Sequence, residues 1–127
     1  MLAFNNDCSH GAHPAVLQAL VDQGNSVVVI PAQDDPVAAF DLAQVFDTSD
    51  LPGGVVNIVS GPKDELAATL AAHEDVAALW FCGTTAEAVE KASTGKLKQV
   101  WSFANRNWAG ADGQGRAFLD HAVQWKT

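Results

Sequence analysis

The sequence predicts an α/β fold: a doubly wound parallel sheet of about five strands with helices on both faces. Two observations carry that expectation. Short apolar runs at residues 2–4, 27–30, 55–59, 76–82 and 97–103 alternate with amphipathic segments at 13–23, 36–46, 63–72 and 85–92. The runs at 27–30 and 76–82 are continuous rather than alternating, which is the pattern of strands covered on both faces. Strand and helix in strict alternation imply right-handed crossovers, and so a Rossmann-like domain.

Each helical segment has an apolar stripe and punctuation that agrees with it. In the first, Val16, Leu17, Leu20 and Val21 share one face, and Gly24 stands where the left-handed C-terminal conformation is needed. In the second, Val37, Phe40 and Val45 follow Asp35-Pro36, an N-cap residue with proline expected at the first helical position. Gly61-Pro62 opens the third in the same way, ahead of Leu66, Ala67, Leu70 and Ala71. Thr84 and Glu87 have capping-box spacing at the start of the fourth, which carries Ala88, Val89 and Ala92 and stops near Gly95.

Beyond residue 104 the rhythm breaks. Residues 1–104 read as the Rossmann-like domain, 105–115 (NRNWAGADGQG) as a glycine-rich loop, and 116–127 as a C-terminal helix. That helix places Phe118, Leu119, Ala122 and Val123 on one stripe, which docks either on its own domain or on another subunit or module.

A chain of 127 residues suits one domain with its own core. Its 48% apolar content excludes wholesale disorder. Charged residues make up 17%, against about 25% in typical domains, so more surface is expected to be buried than a lone small domain needs. A net charge of −8 gives no general attraction for phosphate backbones or anionic lipid, so neither nucleic acid nor membrane is an expected partner. The opening MLAFNNDCSHG has no basic flank and no long apolar core, so no secretory signal is read, and a cytoplasmic location is expected.

Few constellations carry chemistry. Cys8 and Cys82 fit no CxxC pattern and read as reduced thiols. Cys8, His10 and His13 lie close together but lack a fourth ligand, and loop and helix-cap roles suit them better, so no metal site is expected. His73 and His121 read as solvated helix residues. Ser9 with His13 lacks a nucleophile elbow. Neither GxGxxG nor GxxxxGK[ST] occurs. The turn Gly83-Thr84-Thr85, at a strand end and helix start, offers N–H donors to an anion, although capping alone explains it better. Trp80 and Trp101 fall inside expected strands and read as core or interface residues. Trp108 and Trp125 complete a set of four, with too few nearby cations for a base-stacking platform.

The order of segments resembles the cofactor-binding half of the aldehyde dehydrogenases. Residues 24–31 (GNSVVVIP) resemble that family's GN-T-VV-x-KP, and 51–61 (LPGGVVNIVSG) resemble its LPPGVVNVVTG almost position for position. Ala72-His73-Glu74-Asp75-Val76, followed by Phe81-Cys82-Gly83-Thr84-Thr85, is similar to AHPDV…FTGST. Leu97-Lys98-Gln99-Val100 is similar to the NLKRV that leads to the general base. The likeness spans residues 15–101 in order and at the family's spacing.

What the resemblance implies about function turns on departures. The lysine that binds the adenosine ribose corresponds to Ile30, and the acidic residue that reads the ribose hydroxyls corresponds to Gln33. Pro31, Gly83 and Thr84 keep vestigial cofactor-binding positions, although the expected GSTEVG continues as Thr85-Ala86-Glu87-Ala88. The ELGG motif carrying the base appears as Phe103-Ala104-Asn105-Arg106, no cysteine follows Cys82, and PWN aligns with Asn5-Asn6-Asp7. Aldehyde oxidation needs a thiolate, a base and bound NAD. The pattern is similar to the degenerate second module of two-module aldehyde dehydrogenases. It implies no catalytic residues in this chain, no tightly held cofactor where the family uses NAD(P), and a role in packing against a dehydrogenase module or a second copy. Two alternatives stand beside it: a fragment contributing the cofactor-binding part of an active aldehyde oxidoreductase, and a nucleotide-binding regulatory module.

Overall fold

The computed structural model describes residues 2–5, 21, 24–33, 36–82, 86–95, 98–103 and 116–122. Its elements are β1 (Leu2–Asn5), β2 (Val27–Ile30), α1 (Val37–Asp47), β3 (Val56–Ile58), α2 (Lys63–Ala72), β4 (Ala78–Cys82), α3 (Ala86–Ala92), β5 (Gln99–Phe103) and α4 (Arg116–Ala122). The strands lie in the order β3-β2-β1-β4-β5, and every neighbouring pair is parallel. The chain moves from β1 outward to β3, then crosses to the other side for β4 and β5. The reversal falls between β1 and β4, and there the carboxyl ends of a doubly wound sheet open a crevice.

Alternation along the strands gives the sheet two apolar faces. Leu79 pairs in register with Val100, and Leu79 and Phe81 are fully buried. They pack with Val76, with Ala67 and Ala71 of α2, and with Val89 of α3. Small residues on α2 let its backbone approach the sheet closely. On the other face Trp80 pairs in register with Trp101, and their rings meet edge-to-face at 5.1 Å. The imidazole of His121, on α4, stacks on Trp101 with centroids 3.9 Å apart and planes 14° from parallel. The C-terminal helix therefore touches its own sheet. His121 is exposed, as expected of a helix-surface residue, and its ring also packs on Trp101.

The strand and helix boundaries differ from the expected ones for local reasons. α1 and α2 begin one residue after their prolines: Pro36 and Pro62 occupy the N-cap position, and neither helix has a side-chain cap. The proline carbonyls accept the first helical bonds, from Phe40 N–H to Pro36 at 3.3 Å and from Leu66 N–H to Pro62 at 3.1 Å. Gly24 and Gly95 adopt φ of 78° and 90°, the left-handed values expected of them. The first helical segment lies outside the described residues except for Val21, whose carbonyl accepts the Gly24 N–H at 2.9 Å. Asp35 and Thr84, expected as caps, also lie outside them.

β5 begins at Gln99, and Lys98 just before it closes the end of α2. Its Nζ donates to the carbonyls of Leu70 (2.9 Å), Ala71 (2.7 Å) and His73 (2.7 Å). A cation thus closes the C-terminus of α2, where orphan carbonyls and the helix dipole both favour positive charge. Among the described residues no helix is long and apolar enough to cross a membrane.

Candidate functional site

A cavity of about 260 Å³ opens at the carboxyl ends of β2 and β3, lined by Pro31, Ala32, Gln33, Pro36, Ser60, Gly61 and Pro62. Two connections build it. Residues 31–33 leave β2 and turn toward α1, while 60–62 leave β3 and turn into α2. The ladder continues just past β3, since the Val59 N–H donates to the Val29 carbonyl at 3.0 Å, and this holds the two walls together. On the amino side Gly54, with φ of 84°, makes the turn into β3, and its carbonyl accepts a hydrogen bond from Asn57 Nδ2 at 2.8 Å.

The wall is uncharged. Three prolines, Ala32 and Gly61 supply flat apolar surface, and Gln33 and Ser60 supply one amide and one hydroxyl. Such a lining suits a neutral ring and a few hydroxyl groups. At 260 Å³ the cavity is smaller than the roughly 300–1,000 Å³ of pockets that take a whole ligand, so it has room for no more than one end of a larger molecule. Pro31 is buried in the wall, whereas Ile30, where the resemblance places a lysine, is 1% exposed and belongs to the core. Gln33 is exposed at the rim and carries no charge. The residues present therefore fit the neutral part of a dinucleotide but not a charged clamp on its ribose.

Phe103 ends β5 and pairs in register with Cys82, which ends β4, so the position expected for a general base does reach the carboxyl edge of the sheet. The side chains of both residues, and the whole of Gly83, Thr84, Cys8, Ser9, His10 and His13, lie outside the described residues. His73 ends α2 and its Nδ1 accepts the Asp75 N–H at 3.2 Å, a local turn contact. Among the described residues no group of three or more His, Cys, Asp or Glu side chains is placed to hold a metal ion.

Sequence reasoning missed Lys63. It follows the last residue of the cavity wall, and its Nζ lies 5.9 Å from the centroid of the Phe81 ring. No local pattern marks that contact, because Phe81 lies on a separate element, β4.

Comparison with known proteins agrees with this arrangement. The family model for the aldehyde dehydrogenase family matches residues 3–102. An NADP/NAD-dependent aldehyde dehydrogenase of Escherichia coli is 35% identical over 81 residues, which are 61% of this chain and 16% of that protein. Malonate-semialdehyde dehydrogenase 2 of Oceanobacillus iheyensis is 40% identical over 83 residues, 64% of this chain and 17% of that protein. The indole-3-acetaldehyde dehydrogenase of P. syringae, solved in complex with NAD+ and IAA, superposes with a TM-score of 0.70 at 27% identity, covering 82% of this chain and 22% of that one. The chain thus spans about a fifth or less of the length of these relatives.

Proposed function

The chain belongs to the aldehyde dehydrogenase family, and from that premise we propose that it is a non-catalytic module, used for packing or assembly within a larger NAD(P)-dependent aldehyde dehydrogenase. The observation that carries this reading is Ile30. A buried isoleucine stands where the family resemblance places the cation that grips the cofactor. A chain selected to hold NAD for hydride transfer has no use for that exchange. Phe103 in place of a carboxylate base points the same way, since a phenyl ring can neither take nor give a proton.

The packing role is supported by apolar surface left in water. Val37, Phe40 and Val45 on α1, with Val59 just beyond β3, are exposed large hydrophobic residues on the β3 side of the sheet. Several large apolar side chains left in water on one side of a small domain support an interface there. The occupant this reading assigns is a dehydrogenase module of the same family, a second copy of this chain included. Phe118, Leu119 and Val123, the contacts expected from the terminal helix, have side chains outside the described residues, and α4 already touches its own sheet through His121.

The test is an aldehyde assay on the full chain with NAD or NADP. No aldehyde-dependent NADH forms on this reading; steady formation abolished by substituting Cys8 or Cys82 would overturn it. NAD binding is expected in the millimolar range or weaker, because each charged hydrogen bond lost at the ribose forfeits about 1.5–3 kcal/mol, or one to two decades. The cavity favours one secondary reading, weak recognition of a nucleotide by the same module.

A further inference from the structure

We propose that the outer face of α1 docks a partner protein whose contacting surface is apolar, with Lys or Arg side chains set among its apolar groups. The inference rests on the packing reading above and gives the partner a chemistry. It is cationic at this contact, and it is not a second copy of this chain.

Two independent observations meet on α1. The first is its uncovered apolar surface. Val37, Asp41 and Val45 follow one another at i, i+4 spacing, and Phe40, Gln44 and Asp47 form the neighbouring column. All six are exposed, while Ala39, on the opposite side of the helix, is buried in its own domain. Two carboxylates therefore stand among the apolar groups rather than on a separate polar face. The second observation is the distribution of charge along the chain. All seven Lys and Arg lie at or beyond Lys63, whereas seven of the fifteen Asp and Glu lie before it. Residues 1–62 thus hold a formal charge of −7, nearly the whole of the chain's −8.

α1 itself carries no cation to balance Asp41 and Asp47. It has no basic residue in its last turn, and Asp47 ends it at the negative pole of the helix dipole, where a cation is favoured and a carboxylate is not. Asp50, exposed just beyond, adds to the same field. The described cations serve other elements: Lys63 lies over Phe81, Lys91 sits in the last turn of α3, Lys98 closes α2, and Arg116 pairs with Asp120. A second copy brought to this face would set carboxylate against carboxylate, a juxtaposition that complementary interfaces avoid. A partner offering Lys or Arg at those points pairs with Asp41 and Asp47 while its apolar groups cover Val37, Phe40 and Val45.

The experiment follows the fluorescence anisotropy of two labelled amphipathic helical peptides as the full chain is added. One interleaves Leu with Lys, and the other has Glu in place of Lys. Salt is held at about 0.15 M, where exposed charges more than about 8 Å apart are largely screened. The Lys peptide is expected to bind the unsubstituted chain, and more tightly than the Glu peptide. Asp41→Asn with Asp47→Asn should weaken the Lys peptide about fivefold or more, and so should Phe40→Ser. Glu65→Gln with Glu87→Gln removes the same charge from α2 and α3 and should change it by less than about twofold. Undiminished binding by the folded Asn variant, or an equal loss in the Gln variant, would overturn the proposal. Self-association of the unsubstituted chain in sedimentation, abolished by Phe40→Ser, would also overturn it, since a second copy is then the occupant and the packing reading stands. If the Lys peptide does not bind at all, the cationic partner fails, while the packing reading is judged separately by whether the chain associates with a dehydrogenase module.

Discussion

α1 and α2 are crossover helices of 11 and 10 residues in the same sheet, yet they spend their apolar residues differently. α2 sets Ala67 and Ala71 fully against Leu79, Phe81 and Val89, and its outer face carries Asp64, Glu65 and Thr69. α1 buries Ala39 but leaves Val37 at 63%, Phe40 at 41% and Val45 at 58% exposure. One helix is finished by its own domain; the other presents large apolar groups that its own domain does not cover. The strands beside them differ likewise. β4 is buried through residues 78–81, whereas β3, at the edge, is only half-buried at Val56 and Ile58. Stability is therefore concentrated around β4, while the β3 side carries both the cavity and the uncovered surface.

The largest effect that sharpens this contrast is on the α2 side. Leu79→Ala should cost about 2–5 kcal/mol in a denaturant unfolding experiment, since the site is fully enclosed and little can collapse into the void. A loss below about 1 kcal/mol would mean that this half is not the stable one.

Lys98→Met comes next. It removes three charge-assisted bonds from the end of α2, and about 1–3 kcal/mol of stability is expected to go with them. Lys98→Arg should recover part of that loss, which a mere packing role for the side-chain stem would not explain. His121→Ala is smaller. Losing the stack on Trp101 should cost about 0.5–1.5 kcal/mol, read as faster amide exchange in α4 with the sheet unchanged.

Much of this architecture was legible because local pattern and burial coincide. Continuous runs such as Val27–Ile30 became buried parallel strands, and Gly24 and Gly95 took the left-handed backbone that their positions required. What could not be read depends on contacts between residues distant in the chain. Lys98 reaches back 25 to 28 residues to close α2, His121 of α4 meets Trp101 of β5, and Lys63 of α2 lies over a ring on β4. Nothing in the spacing around those residues announces a partner. At the candidate site, Pro31 was recognisable through the family resemblance and does line the cavity, whereas Ser60, Gly61 and Pro62 join it only because β3 lies beside β2. The exposure of α1 was equally hidden, since Val37, Phe40 and Val45 form a stripe that on sequence alone belongs to the core.

The smallest effect on stability belongs to the α1 face, and there the contrast is decided. Val37→Ser, Phe40→Ser and Val45→Ser should each change unfolding free energy by no more than about 0.5 kcal/mol, because these groups already stand in water. Their effect on association should be far larger. Sedimentation velocity on the full chain, alone and with an active dehydrogenase module of the family, compares the unsubstituted protein with the triple Ser variant. The account predicts association at micromolar concentration that the variant loses while remaining folded. A monodisperse monomer that ignores the module at high micromolar concentration, or association untouched by the three substitutions, would contradict it.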